Sequence, residues 1–266
     1  MTSTTSAERR AFWGVSALLF AASAAGTIGW CASMSGSAMA EMPMPGGWTM
    51  SMAWMRMPRQ TWPGAGASFL GMWVLMMVAM MLPSLLPMLQ RYRAAVGGAG
   101  QPRLGRLTLL VGVGYFFVWT LLGMAAFPLG VALASLEMRQ PSLARAVPFA
   151  VAAVVLLAGL LQFTSWKARQ LACCREAPGC GRTLSSDAGT AWRHGLNLGA
   201  RCSRCCAGLM TVLLVIGVMD LRAMAIVTAA ITVERLAPAA ERVARAIGVV
   251  VVGVGLLLIA RAWGLG

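Results

Sequence analysis

The sequence predicts an all-α, polytopic helical membrane protein of about seven transmembrane helices, with its N-terminus in the cytoplasm. Three observations carry this reading. The chain of 266 residues is 59% hydrophobic and only 11% charged, whereas a soluble domain carries about 25% charged residues, so there are too few charges to wet a globular surface. Mean hydropathy is +0.74, and apolar runs of about 20 residues, the length that crosses a hydrocarbon core of about 30 Å, recur along the chain. The net charge of +14 comes from basic residues in short loops between these runs, which orients a membrane protein and makes no face for nucleic acid. A soluble enzyme, a disordered chain and a coiled coil are excluded.

The first run, 11–30, follows Arg9 and Arg10. It is longer than the core of a signal peptide, about 7 to 15 residues, and the small-x-small site Ala38-Met39-Ala40 lies too far beyond it, so it is a span. Further spans are expected over 68–89, 107–130, 146–166 and 246–263. The stretch 205–236 is interrupted by Asp220-Leu221-Arg222. As one helix it would be about 45 Å long at 1.5 Å per residue, more than a bilayer needs. Asp220 is a good N-cap residue, so two short helices are expected, 205–219 and 221–236, which makes seven spans. The alternative is six, with 205–236 as one tilted helix. With the N-terminus inside, basic residues divide 16 to 6, only Arg56, Arg59, Arg139, Arg145, Arg222 and Arg261 lying outside, in accord with the positive-inside rule. The chain then divides into residues 1–67, a first helix and a Met-rich outer loop, and 68–266, a helical bundle whose inner loop 167–204 holds most of the Cys. The expected location is the bacterial inner membrane.

Sulfur is the strongest chemical signal. Six of the seven Cys lie within 34 residues on the inner side: Cys173, Cys174, Cys180, Cys202, Cys205 and Cys206. A reducing cytoplasm disfavours structural disulfides, so such a group points to metal or redox chemistry. Cys202-Ser203-Arg204-Cys205-Cys206 contains a C-x-x-C, two thiolates spaced to reach one ion. A helix start just after it, with Arg201 and Arg204 alongside, would favour thiolates. Thiolates suit Cu(I), Zn(II) or iron–sulfur clusters. Cys31 reads as plain packing.

Fourteen of the 20 Met lie between positions 34 and 88. The outer loop carries Met42/Met44, Met50/Met52 and Met55/Met57 as Met-x-Met pairs, and thioether sulfur selects Cu(I) where a thiol would oxidise. Interleaved Trp48, Trp54 and Trp62 suit a loop lying on lipid equally well. In the second span Met72, Met76 and Met80 recur every four residues with Met77 and Met81 beside them, one sulfur stripe on a helix face. Pro83 and Pro87 are expected to bend its inner end. Glu234, in an apolar run, is an ionisable group at membrane depth and calls for a basic partner, Arg235 or Arg222. His194 is the sole His and cannot build an imidazole site. No glycine-rich phosphate loop and no Ser/His/Asp arrangement occurs in the sequence, so an enzyme is not the first reading.

Four blocks resemble an uncharacterised bacterial family of predicted metal-binding integral membrane proteins, a domain of unknown function, over about 69–238. They are Trp73 to Ser84 with Met76, Met80, Met81 and Pro83; Gly114-Tyr115 with Trp119; Lys167 leading to Cys174-Arg175 and Pro178; and Gly195-x3-Gly199-x2-Cys202-x2-Cys205-Cys206-x2-Leu209-Met210, continuing through Gly217 and Met219 to Glu234. The resemblance implies metal handling, copper above all, in a copper-chaperone-like role. The chain departs from the family at Ala207, where members often carry Trp, at Gln170, where they carry Cys, and at Arg235, where an acidic–lysine pair is usual; Cys173 or Cys180 would then replace the missing thiol.

The leading expectation is a soft-metal protein that handles Cu(I), with Zn(II) as the second choice, through Cys202, Cys205, Cys206 and Cys174. Cys173, Cys180, Met76, Met80, Met81 and Glu234 are further candidates. The partners expected are the lipid bilayer and a metal donor or acceptor protein. A membrane thiol-disulfide oxidoreductase or redox sensor using Cys202/Cys205 is the first alternative, and a non-catalytic structural subunit of a membrane complex the second.

Overall fold

The computed structural model describes residues 6–35, 41–45, 47–56, 60–96, 101–175 and 186–264. Its elements are α1 (Ser6–Ser35), the hairpin β1 (Glu41–Met44) and β2 (Trp48–Ser51), a 3-10 turn (Met52–Trp54), α2 (Trp62–Ala95), α3 (Gln101–Arg139), α4 (Pro141–Leu161), α5 (Ser165–Arg175), α6 (Ala188–Ile216), α7 (Leu221–Leu236) and α8 (Ala240–Ala262). Among the described residues the fold is all-α but for the hairpin. Among the described residues six helices are long and apolar enough to cross a membrane: Arg9–Ser33, Trp62–Ala95, Arg103–Arg139, Pro141–Leu161, Ala188–Ile216 and Ala240–Ala262. Their lipid-length apolar sides remain exposed, as Leu18, Leu109, Leu157, Val250 and Leu257 illustrate, which only a hydrocarbon surrounding makes tolerable.

Helix boundaries follow local chemistry. Thr61 caps α2, its hydroxyl accepting from the Gly64 amide at 3.2 Å. Asp187 caps α6, its carboxylate accepting from the Thr190 amide at 2.9 Å. That amide, and then the Thr190 hydroxyl, hold the Asp187 carboxyl below the usual carboxylate range. α6 stops at Gly217, whose φ of 146° is open to glycine but strained for other residues. Asp220 then caps α7, accepting from the amides of Arg222 and Ala223 at 2.8 and 3.1 Å. The break expected at Asp220 is therefore present, and the single tilted helix over 205–236 does not form. α7, with 16 residues, is about 24 Å long at 1.5 Å per residue. It is shorter than the six long helices and folds back beside α6, so its end returns to the level of α5.

Two expectations fail. The inner loop 167–204 is largely helical: α5 takes up its first part and α6 begins at Ala188, well before Cys202. The C-x-x-C thus lies mid-helix and not at a helix start. The reason is visible in the burial pattern. Ala191, Gly195, Leu198, Gly199, Cys202, Cys205, Cys206 and Leu209 form one buried face of α6, while Arg193, Asn197, Arg201 and Arg204 are exposed on the other. This is an amphipathic helix whose polar face reads as a loop in a search for uninterrupted apolar runs. Likewise 146–166 shortens, since α4 ends at Leu161 and a turn leads into α5.

α6 packs on α3, α4, α5 and α7. Its contact with α3 is close because glycines face backbone. A methyl group at Gly199 would stand 2.8 Å from the Tyr115 carbonyl oxygen, and one at Gly114 would stand 2.9 Å from that of Trp192. Gly195 and Gly199 form the small-xxx-small pattern that lets membrane helices approach. α2 runs unbroken through Pro83 and Pro87 and buries Met72, Met76, Met77, Met80, Met81 and Met88 in the same core as the α6 thiols. The hairpin turns at Gly47, φ 76°, and is tied down by Trp48, whose Nε1 donates to the Ala144 carbonyl at 2.8 Å. Met50 is buried beneath it.

Candidate metal centre

Cys202 follows Gly199 by three positions, so the close α3–α6 contact that the glycines permit also sets its surroundings. Tyr115, on α3, donates its hydroxyl to the Cys202 sulfur at 3.0 Å. Arg235, near the end of α7, donates from Nη1 to the same sulfur at 3.1 Å and to the Ser84 hydroxyl of α2 at 2.8 Å. Cys206, one turn on, brings its sulfur to 3.8 Å from that of Cys202. Cys205 lies on the same buried face of α6, which packs on α5, the helix that carries Cys174. Cys174, Cys202, Cys205 and Cys206 are all buried, none more than 2% exposed.

The thiol contact is thus that of Cys202 with Cys206 on α6, with Cys205 and Cys174 buried in the same core. Among the described residues no group of three or more His, Cys, Asp or Glu side chains is arranged to hold one ion. The arrangement offers one observed adjoining pair of thiols, Cys202 and Cys206. The 3.8 Å between Cys202 and Cys206 is somewhat less than two metal–thiolate bonds of about 2.3 Å laid end to end. Such a pair can serve an ion content with two soft ligands, whereas structural Zn(II) takes four.

A second polar group adjoins the thiols. Lys167, on α5, donates from Nζ to the Glu234 carboxylate at 2.7 Å and to the Cys205 carbonyl at 2.9 Å. Gln162 donates to the other Glu234 oxygen at 2.9 Å. Both charges are buried, and the Lys is satisfied by an acceptor on the thiol helix itself. This corrects the expected partner of Glu234: Lys167 fills that role, because the residue after Glu234 on α7 lies about 100° round the helix and Arg235 meets Cys202 instead. Arg222, at the opposite end of α7, is exposed.

The other predicted residues fall as follows. Met80 and Met81 lie about one turn before Ser84, whose hydroxyl also donates to the Met81 carbonyl at 3.0 Å, so the α2 sulfur stripe passes the residue that Arg235 contacts; Met76 is buried one turn further back. Cys173 is half-buried, next to the buried Lys167, Leu171 and Cys174 face of α5. Cys180 lies outside the described residues. Arg201 and Arg204 are exposed and Arg204 donates to the Ala200 carbonyl of its own helix at 3.1 Å, so the positive charge at the thiols comes from Arg235 and Lys167 instead. His194 stacks on Tyr92, ring centroids 5.2 Å apart. Cys31 packs with its sulfur 4.0 Å from that of Met219. Sequence reasoning undervalued Tyr115, Ser84, Gln162 and Lys167 as neighbours of the thiols. The available signal was their polarity inside or at the end of apolar runs.

Among the described residues, six helices long and apolar enough to cross a membrane make this a multi-pass membrane protein, with buried thiols in its core. Residues 70–258 match the copper chaperone family PpoB2, and the chain belongs to that family. Neither a curated protein nor a solved structure matches the chain. Membership ties the protein to copper handling.

Proposed function

We propose that the protein takes up Cu(I) as cargo on the thiols of Cys202, Cys205 and Cys206 in α6, with Cys174 of α5, at the cytoplasmic side of a bacterial inner membrane, and exchanges it with a donor or acceptor protein. The observation that carries this reading is the 3.8 Å contact of the Cys202 and Cys206 thiols, in a core that also buries Cys174, Cys205 and the α2 thioethers. Thiolate sulfur holds Cu(I) strongly, and an adjoining pair suits an ion content with two soft ligands. Zn(II), which prefers a four-ligand shell, is the weaker fit. On this reading residues 1–67 gather the ion, and Met76, Met80 and Met81 lead it inward. Cys173 and Cys180 supply further thiols, and Glu234 keeps the cationic Lys167 in place against Cys205.

Metal analysis of the purified protein, loaded with Cu(I) under reducing conditions, tests this beside a Cys205→Ser/Cys206→Ser variant. The native chain is expected to retain copper through gel filtration and the variant to lose most of it. Equal, negligible copper in both refutes the proposal. Thiol trapping across a redox titration addresses the exchanger reading: a Cys202/Cys205 disulfide forming reversibly would favour that reading over metal carriage.

A further inference from the structure

Arg235 is 2% exposed. Its Nη1 donates to Ser84 and Cys202, while Nε and Nη2 are buried without a hydrogen-bond partner. Among the described residues no carboxylate forms an ion pair with it: Glu234, its chain neighbour, is engaged by Lys167 and Gln162, and the remaining ion pair joins Arg245 to Glu241 on the surface. A buried guanidinium lacking an anion is costly, and a protein retains one where an anion forms in use. The groups facing it are the Cys202 thiol, the Ser84 hydroxyl and, through Cys202, the Tyr115 hydroxyl. The anion must come from the sulfur.

We propose that Arg235 is the fixed counter-charge of a two-thiolate complex at Cys202 and Cys206, and that it selects a monovalent over a divalent cation. This rests on the copper reading above. Loading forms two metal–sulfur bonds and breaks two S–H bonds, whose protons leave to water. Two thiolates with one monovalent ion carry a single negative charge, and the guanidinium brings the buried site to neutrality. A divalent ion on the same two thiolates is already neutral, so Arg235 leaves a net positive charge in a low-dielectric interior, where charge imbalance is least tolerated. A third thiolate would restore the balance for a divalent ion, but among the described residues no three such side chains are grouped to hold one. Arg235 is thus a selectivity-setting neighbour and not a ligand.

The test uses the full-length protein in detergent, with Cu(I) and Zn(II) affinities read by competition against chromophoric chelators. Arg235→Met is expected to weaken Cu(I) at least about tenfold and to narrow the Cu(I)-to-Zn(II) preference, while Arg235→Lys, which keeps the charge, stays within about threefold of native. Arg235→Met binding Cu(I) as tightly as native, with unchanged preference, overturns the inference while the copper reading stands. Undiminished Cu(I) binding in Cys202→Ser/Cys206→Ser likewise overturns the inference, whereas a native protein that binds no Cu(I), or binds it undiminished when Cys174, Cys202, Cys205 and Cys206 are all replaced by Ser, removes the reading itself. Should Arg235→Met not fold, alkylation of the native protein decides: Cu(I) is expected to protect Cys202 and Cys206 and Zn(II) neither, and equal protection by Zn(II) overturns the inference.

Discussion

Lys167 Nζ lies 2.7 Å from a Glu234 carboxylate oxygen, and the two side chains are 5% and 2% exposed. The pair locks α5 to α7, and the same ammonium reaches the Cys205 carbonyl of α6, so one cation joins the three helices around the thiols. Removing a single partner leaves a buried charge alone, which costs about 3–5 kcal/mol. Lys167→Met and Glu234→Gln should each lower the thermal midpoint in detergent markedly, and the double variant should be less destabilised than the two losses added together. Strict additivity of the two losses would show that the pair does not couple the helices.

The α3–α6 contact leaves no room for a side chain at Gly199, where a Cβ meets the Tyr115 carbonyl. Gly199→Val should push the helices apart and move the Tyr115 hydroxyl away from Cys202. Overpacking of this kind costs about 1–3 kcal/mol. Alkylation of Cys202 in the folded protein should accelerate in this variant, and a native-like rate would mean that the glycine contact does not position the thiol.

Tyr115→Phe removes one donor to the Cys202 sulfur while keeping the ring. A hydrogen bond to a charged group contributes about 1.5–3 kcal/mol, so Cu(I) affinity should fall by about tenfold or more with little change in thermal stability. Competition with a Cu(I) chelator checks this, and unchanged affinity would place the ion away from Cys202.

Asp187 gives the fold an acid sensitivity outside the membrane segments. Its carboxyl is held below the ordinary range by the Thr190 amide and then its hydroxyl. A depressed folded value stabilises above the unfolded pKa of about 3.9 and loses that contribution as pH falls through the folded value. Amide exchange at Thr190 should therefore accelerate below about pH 4 and become pH-independent in its opening step in Asp187→Ala. The same acid dependence in both proteins would assign it to another group.

The helical membrane class, the Asp220 turn and the sulfur-bearing face of α2 were legible in the sequence, because apolar length, an N-cap and a four-residue period are local signals. The reach of α6 back to Ala188 was not. Its first half alternates buried glycine and alanine with exposed Arg193, Arg201 and Arg204, which lowers hydropathy to that of a loop although the periodicity is helical. The partner of Glu234 was also hidden, since adjacency in sequence favoured Arg235, whereas a helix turns neighbouring side chains to different faces and the return of α7 beside α5 brings up Lys167 from 67 positions away. Which thiols meet was legible only in part. The i, i+4 pair Cys202/Cys206 follows from helical geometry, but the burial of Cys174 in the same core depends on how α5 packs on α6.

X-ray absorption at the copper edge, on native protein loaded with one equivalent of Cu(I), tests the central claim most directly. A first shell of sulfur alone, lost when Cys174, Cys202, Cys205 and Cys206 are all replaced by Ser, is the predicted result. A shell of nitrogen or oxygen, or a sulfur shell that survives replacement of those four residues, would contradict it.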